Sequence, residues 1–358
     1  MTLTSDSPAS ITAARGLSVA IGGGQRIITG TGFGAGPTVV LFDRFAGQDR
    51  EVLSATRQAD VGQWANKGGA SGYDARLYED RGRTWFAHRD PEALGVSTTA
   101  AVWMFFATQS PVSEFRFAHR RWVPTDRHFP GATAPGEYDT NSPSSSWKPT
   151  WAAGSNGSDL SGIESNDGQA DLVFDSHIFT GSMKVTGNSV QPESQAGGGF
   201  YTGFSFTAPT LTTWYQSGVE SSEGAYDQIV DRILVHDGAS VRETRNDVDT
   251  FRANADTWST MSKAYQGWSL GGLITNGVPY DNAMPLIADF YLAVGENSRA
   301  CIITGDAATL SSCTEAYIVP PDSWSDTEIK YTPAGHESLP YTHIITFDGS
   351  LIENAEHI

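Results

Sequence analysis

Short runs in which apolar and polar residues alternate recur along the chain, and no window carries a helical repeat across several turns. Alternation with period two sends successive side chains to opposite faces of a strand, so the pattern predicts an all-β protein. Strands are expected at residues 18–21 and 26–29, on either side of Gly22-Gly23-Gly24, and at 39–42. Beyond Phe42 the runs become longer and more aromatic, and strands are expected at 74–78, 99–107, 112–119, 171–179, 199–208 and 228–236. Residues 286–301 are apolar enough for a helix. Phe290-Tyr291 and Val294, leading into Ile302-Ile303-Thr304, suit a closing strand better. Residues 130–149 and 152–169 are polar and poor in β-branched side chains, which predicts loops at the surface or at an edge.

Composition sharpens this picture. The 38 glycines and 17 prolines, with abundant Ser, Thr, Asn and Asp, provide the turns that many short strands require. Ten tryptophans are more than surface decoration uses, and most of Trp85, Trp103, Trp122, Trp147, Trp151, Trp214, Trp258 and Trp268 are expected in the core or between sheets. Many strands, inward aromatics and long loops predict a jelly roll or a related two-sheet sandwich. With 358 residues the chain can hold one large domain or two ordinary ones.

The net charge of −18 is dispersed, which suits solubility and argues against a nucleic-acid partner, since that needs clustered Lys and Arg. The first ten residues have neither a basic nor an apolar leader segment, and no apolar stretch reaches membrane-spanning length, so no membrane partner is expected. Cys301 and Cys313 are too few for a disulfide framework; they flank a hairpin-like stretch and read as buried free thiols in preference to a bonded pair.

The run Ile28-Thr29-Gly30-Thr31-Gly32-Phe33-Gly34 resembles the opening of IPT/TIG modules, which are immunoglobulin-like sandwiches. Trp324-Ser325-Asp326-Thr327-Glu328-Ile329 resembles a strand entry of the same module, and Tyr341-Thr342-His343-Ile344-Ile345-Thr346 with Asp348-Gly349 its last strand and terminal turn. Leu41-Phe42-Asp43-Arg44-Phe45 resembles the start of concanavalin A-like jelly rolls, and the combination is similar to structural proteins of tailed bacteriophages and prophages. The resemblance implies an all-β fold in which a jelly-roll β-sandwich accompanies an Ig-like (IPT/TIG) module formed from both chain ends. The implied divisions are an arm at 1–16, a split module at 17–41 plus 296–358, and a jelly-roll domain at 42–295. It also implies a non-enzymatic virion protein with a capsid-decoration or external attachment role. The expected partners are other virion proteins, further copies of the chain, and host surface glycans.

Candidate contacts follow from residue chemistry. Arg116, His119, Arg120, Arg121 and Trp122 form a basic cluster that could dock on an acidic neighbour, or simply occupy an exposed strand face. Tyr138, Trp147 and Trp151 lie near expected loops, where aromatic faces can stack on sugar rings or anchor the loops themselves. No catalytic residue and no cofactor are expected. The closely spaced carboxylates of a jelly-roll glycosidase are absent. Alginate lyases resemble one another in a Gln-x-His strand, whereas this chain has Gln228-Ile229-Val230. A lyase would instead require Arg116, Arg121, His128 and Tyr138 to converge in one cleft. His88, His119 and His128, near Asp90 and Asp126, have no metal-ligand spacing. Asn166-Asp167 with Asp171, and Asn246-Asp247 with Asp249, offer oxygen ligands for a structural calcium ion, although acidic turns are commonly only turns.

Overall fold

The computed structural model describes residues 18–22, 24–69, 74–80, 82–87, 102–112, 114–122, 145–153, 172–179, 184–192, 200–201, 205–207, 210–220, 226–236, 241–244, 251–252, 265–271, 286–313, 316–333, 335–348 and 350–356. Among these the secondary structure is antiparallel β apart from one 3-10 turn, Leu310–Ser312. The fold is all-β: a large jelly-roll sandwich of a nine-stranded and an eight-stranded sheet, and a smaller sandwich of two four-stranded sheets.

The smaller sandwich draws on both ends of the chain. Its outer sheet has the order Ser18–Gly22, Gln25–Thr29, Glu328–Tyr331, Ser323–Trp324, with Ile28 opposite Ile329. Its inner sheet runs Ala316–Val319, Cys301–Gly305, Tyr341–Ile345, Leu351–Glu356. Alternation along the inner strands sorts their side chains between two cores. Ile302, Val319, Ile344 and Ile352 meet Ile28, Phe33, Ile329 and Tyr331 of the outer sheet. Cys301, Ile303, Ile318 and Ile345 point the other way, onto Phe42, Ala118, Tyr291 and Ala293 of the nine-stranded sheet. Every residue of Cys301–Gly305 is therefore buried.

The glycine-rich segment near the start is bonded to the Trp-Ser-Asp-Thr segment near the end. Gly30 and Phe33 donate their backbone N–H groups to the carbonyls of Thr327 and Asp326. The Gly34 N–H donates to Asp326 Oδ1, and Trp324 Nε1 donates to the Gly34 carbonyl. Gly34 has a φ of +66°, and a methyl group there would fall on the Phe347 ring, so only glycine fits. Arg26, 3% exposed, ties the same two ends by donating to Thr304 Oγ1 at 2.9 Å, Tyr331 Oη at 3.2 Å and the Glu337 carbonyl at 2.9 Å.

In the large sandwich the central strand is Leu286–Val294, with all nine residues buried, as the closing-strand reading predicts. Trp64, just before the eight-stranded sheet's strand Asn66–Gly69, packs on Phe290 at 5.5 Å between ring centroids, so the two large sheets meet there. Trp64, Trp85 and Trp268 are the buried tryptophans among the described side chains.

Several expected boundaries shift. Leu77–Asp80 begins three residues later than predicted, and residues 199–208 divide into Phe200–Tyr201 and Ser205–Thr207. The strands Lys184–Pro192, Thr210–Glu220 and Tyr265–Gly271 were not foreseen. Ser145–Ala153 overlaps both expected loops yet is an interior strand, paired with Leu172–Phe179 and Tyr265–Gly271. The segment reads as loop because it is polar and poor in β-branched residues. Pro149 falls where the register with Leu172–Phe179 slips, and a bulge tolerates a residue without an N–H.

Asp43, 1% exposed, is the polar centre of this region. It accepts the Phe45 N–H at 2.7 Å, Arg57 Nε at 2.8 Å and Trp64 Nε1 at 2.8 Å. Arg57 lies over the Phe45 ring, which also contacts Trp64 and Phe86. Removing this carboxylate leaves the buried Trp64 indole N–H without its acceptor and the half-buried Arg57 guanidinium with only the Ala46 carbonyl. Asp43→Ala is expected to lower unfolding free energy in urea by about 3–5 kcal/mol. Lys330→Ala, which deletes the half-exposed Lys330–Glu328 pair, should change it by less than about 1 kcal/mol.

His343 gives the smaller sandwich a pH dependence. Burial pushes its imidazole down to about 4, so the folded state holds it neutral. The unfolded chain binds that proton more readily. The contribution is thus complete above pH 6.5 and is lost as pH falls towards 4, to the extent of roughly 3 kcal/mol. The drop in urea midpoint between pH 7 and pH 4.5 should be clearly smaller in His343→Gln than in the unaltered chain.

Candidate functional site

Among the described residues, a hollow opens where Leu286–Val294 changes partner along one edge. Leu286 and Ile287 pair with Ala87 and Phe86 of Arg83–Ala87, whereas residues from Phe290 onward pair with Thr38–Asp43. Asp289 sits at the changeover. Its φ is +52°, and the register with Glu114–Trp122 on the other edge shifts between Ala288 and Tyr291. The bulge turns the Asp289 side chain towards the gap between the two partner strands.

Arg83 grips that carboxylate with both terminal nitrogens, Nη1 to Oδ2 at 2.8 Å and Nη2 to Oδ1 at 2.9 Å. Nη2 also donates to the Arg44 carbonyl at 2.9 Å, and the guanidinium lies 4.9 Å from the Trp85 ring centroid. Burial opposes the Arg83 charge, but Asp289 outweighs it and raises the arginine above its ordinary range. Arg44 is raised as well, first by its hydrogen bonds to Asp60 at 2.7 and 3.0 Å. From the smaller sandwich, His336 stacks on Tyr317 at 3.9 Å and brings Nε2 to 3.9 Å from Asp289 Oδ2. The hollow has a volume of about 460 Å³, and Ala46, Glu79 and Thr84 also line it.

Neither Arg83 nor His336 stands out in the sequence. Arg44 falls inside a segment noted for its resemblance and Asp289 inside the expected closing strand, without any signal of a site. The Arg83–Asp289 pair spans much of the chain, and left-handed backbone at an aspartate leaves no sequence mark.

The basic cluster is not a single surface. Glu114–Trp122 places Arg116 opposite Ala293, on the face that the smaller sandwich covers. Arg116 is 1% exposed and donates to Cys301 Sγ at 2.7 Å, so it is an internal group, not an outward contact. His119, also 1% exposed, falls on the opposite face by strand alternation. Arg120, Arg121 and Trp122 belong to the same strand, and Trp147 and Trp151 to Ser145–Ala153, but the side chains of all five lie outside the described residues. Tyr138 lies outside them entirely, as do His88, Asp90, Asp126 and His128 and the acidic turns at 166–171 and 246–249. Among the described residues no group of three or more His, Cys, Asp or Glu is placed to hold a metal ion.

No protein-family model matches the chain, and no curated protein matches it. It is similar to the alginate lyase vAL-1 from Chlorella virus, at 10% identity and a TM-score of 0.35, over 65% of this chain and 93% of that one. It is also similar to the winged bean acidic lectin complexed with methyl-α-D-galactose, at 9% identity and a TM-score of 0.33, over 67% of this chain and 96% of that one. A third similar structure is the CBM2 module of the evolved Dit of Lactobacillus casei BL23 phage J-1, at 12% identity and a TM-score of 0.26, over 74% and 93% of the two chains.

Neither cysteine is in a disulfide, and both are buried. Cys301 lies in the seam against Arg116, while Cys313 faces His343 Nε2 at 3.5 Å and is pushed up to about 11 by burial. Neither should react with a thiol reagent at pH 8 in the native protein, and both should react once denaturant is added. A native chain that titrates one thiol quickly would show that the seam opens.

Proposed function

We propose that this chain is a non-enzymatic structural protein on the outside of a tailed-phage virion, with a decoration or attachment role and a glycan-binding surface. In this reading an Ig-like module of the IPT/TIG kind, expected at residues 17–41 plus 296–358, carries a jelly-roll domain expected at 42–295, with Thr38–Asp43 as the strand that passes into the large sheet. Residues 1–16 serve as an arm towards neighbouring virion proteins or further copies of the chain.

The observation that carries the reading is the two-sided burial of Leu286–Val294. The large sandwich is connected to the smaller one by two covalent crossings and is seated on it through Phe42, Tyr291, Ile303, Ile318 and Ile345. Such a joint fixes orientation, which repeated display on a particle requires and which a single flexible linker does not supply. The dispersed charge of −18 suits a protein displayed at high local density.

A polysaccharide lyase or depolymerase is the second reading, because Glu79, Asp289 and His336 share one hollow. The bidentate hold of Arg83 on Asp289 speaks against it, since a paired carboxylate is a weak general base. Arg116, one of the four groups a lyase cleft would need, is turned into the seam.

Two measurements test the proposal. Antibody labelling of particles from the source host should give a regular pattern on heads or tails, and particles without label would overturn the virion assignment. A glycan array with size analysis of the bound glycans should give binding without shortening. Shortened products would transfer the case to a depolymerase.

A further inference from the structure

The hollow at the partner changeover has the attributes of a built site. Left-handed backbone at a residue other than glycine costs on the order of 1–3 kcal/mol and persists where surrounding structure enforces it. Of the three such residues among those described, Asp289 faces the hollow, and Phe45 sits between two of its lining residues. The Phe45 carbonyl accepts a hydrogen bond from Thr84 Oγ1 at 2.7 Å, so the unusual backbone is tied into the wall. The volume of about 460 Å³ lies within the usual span of small-molecule sites.

The wall chemistry narrows the ligand. Guanidinium donors, carboxylate acceptors, a hydroxyl and an imidazole line the hollow beside alanine and glycine, a mixture that suits a molecule whose hydroxyls give and accept hydrogen bonds and whose carbons meet apolar surface. The positive charges are already compensated, Arg83 by Asp289 and Arg44 by Asp60. With a net charge of −18 on the whole chain, a polyanionic ligand gains little here. We infer that the hollow binds a neutral sugar residue of a glycan through adjacent hydroxyl groups, with Arg44 and Arg83 as donors and the exposed Glu79 carboxylate as acceptor, while Asp289 holds Arg83 in place. The inference rests on the glycan-binding reading above and deepens it. Arg44, Arg83 and Asp289 come from the large sandwich and His336 from the smaller one, so the ligand would touch both.

The test titrates the full chain with neutral gluco-, galacto- and manno-oligosaccharides, and with oligouronates and sialyllactose as anionic counterparts, by calorimetry. Ala46→Trp fills the hollow from an exposed position, and Glu79→Gln alters its rim without changing size. Thermal unfolding of both variants should match that of the unaltered chain. At least one neutral oligosaccharide should bind, with affinity reduced tenfold or more by Ala46→Trp and by a smaller factor in Glu79→Gln. Neutral binding that both variants retain in full would overturn this site and leave the glycan reading standing. Anionic binding alone, blocked by Ala46→Trp, would overturn the neutral class. A chain that binds nothing in the panel would remove the site and the glycan reading together.

Discussion

A strand covered on both faces cannot lose either neighbour without exposing a row of apolar side chains, and Leu286–Val294 is such a strand. One face looks into the large sandwich, where Phe290 meets Trp64; the other carries Tyr291 and Ala293 into the seam with the smaller sandwich. Each fully buried large side chain contributes about 1.5–3 kcal/mol. Opening the seam would uncover Phe42, Tyr291, Ile303, Ile318 and Ile345 together, a cost on the order of 10 kcal/mol. That is comparable to the whole stability of a typical domain, about 5–15 kcal/mol. The two sandwiches therefore behave as one cooperative body.

Polar groups at the seam and its borders follow from this constraint. Arg26 and Asp43 are both nearly sealed from solvent, and each is surrounded by partners that match its bonding capacity. Satisfied in this way, a buried charge rigidifies its surroundings; half satisfied, it would be a defect. The changeover at Asp289 is the other consequence. A long central strand flanked by two shorter ones must leave a gap where one partner ends and the next begins. In this protein the gap is lined with charged side chains.

The fold was legible wherever alternation and glycine spacing govern the backbone. The strand at 26–29 follows from period-two patterning and the one at 39–42 from a compact apolar run, and the Gly30–Gly34 run lies at a turn that requires positive φ at Gly32 and Gly34. Ser145–Ala153 was not legible, because it is polar and poor in β-branched residues and its strand character comes from pairing on both edges. Arg116 was misread for a related reason. Sequence shows that a residue is charged, but which face of a strand a second sheet will cover depends on contacts with the far end of the chain. The hollow was invisible altogether, since Arg44, Arg83, Asp289 and His336 share no spacing and meet only through a bulge and a change of partner.

The pairing of Gln25–Thr29 with Glu328–Tyr331 has a mechanical side. Tension applied at residues 18 and 356 enters through Ser18–Gly22 and Leu351–Glu356, both strands of the smaller sandwich. The load passes between its two sheets, across the core of Phe33, Ile302, Ile329 and Ile344. The large sandwich lies beside that path and takes up load only through the seam they share.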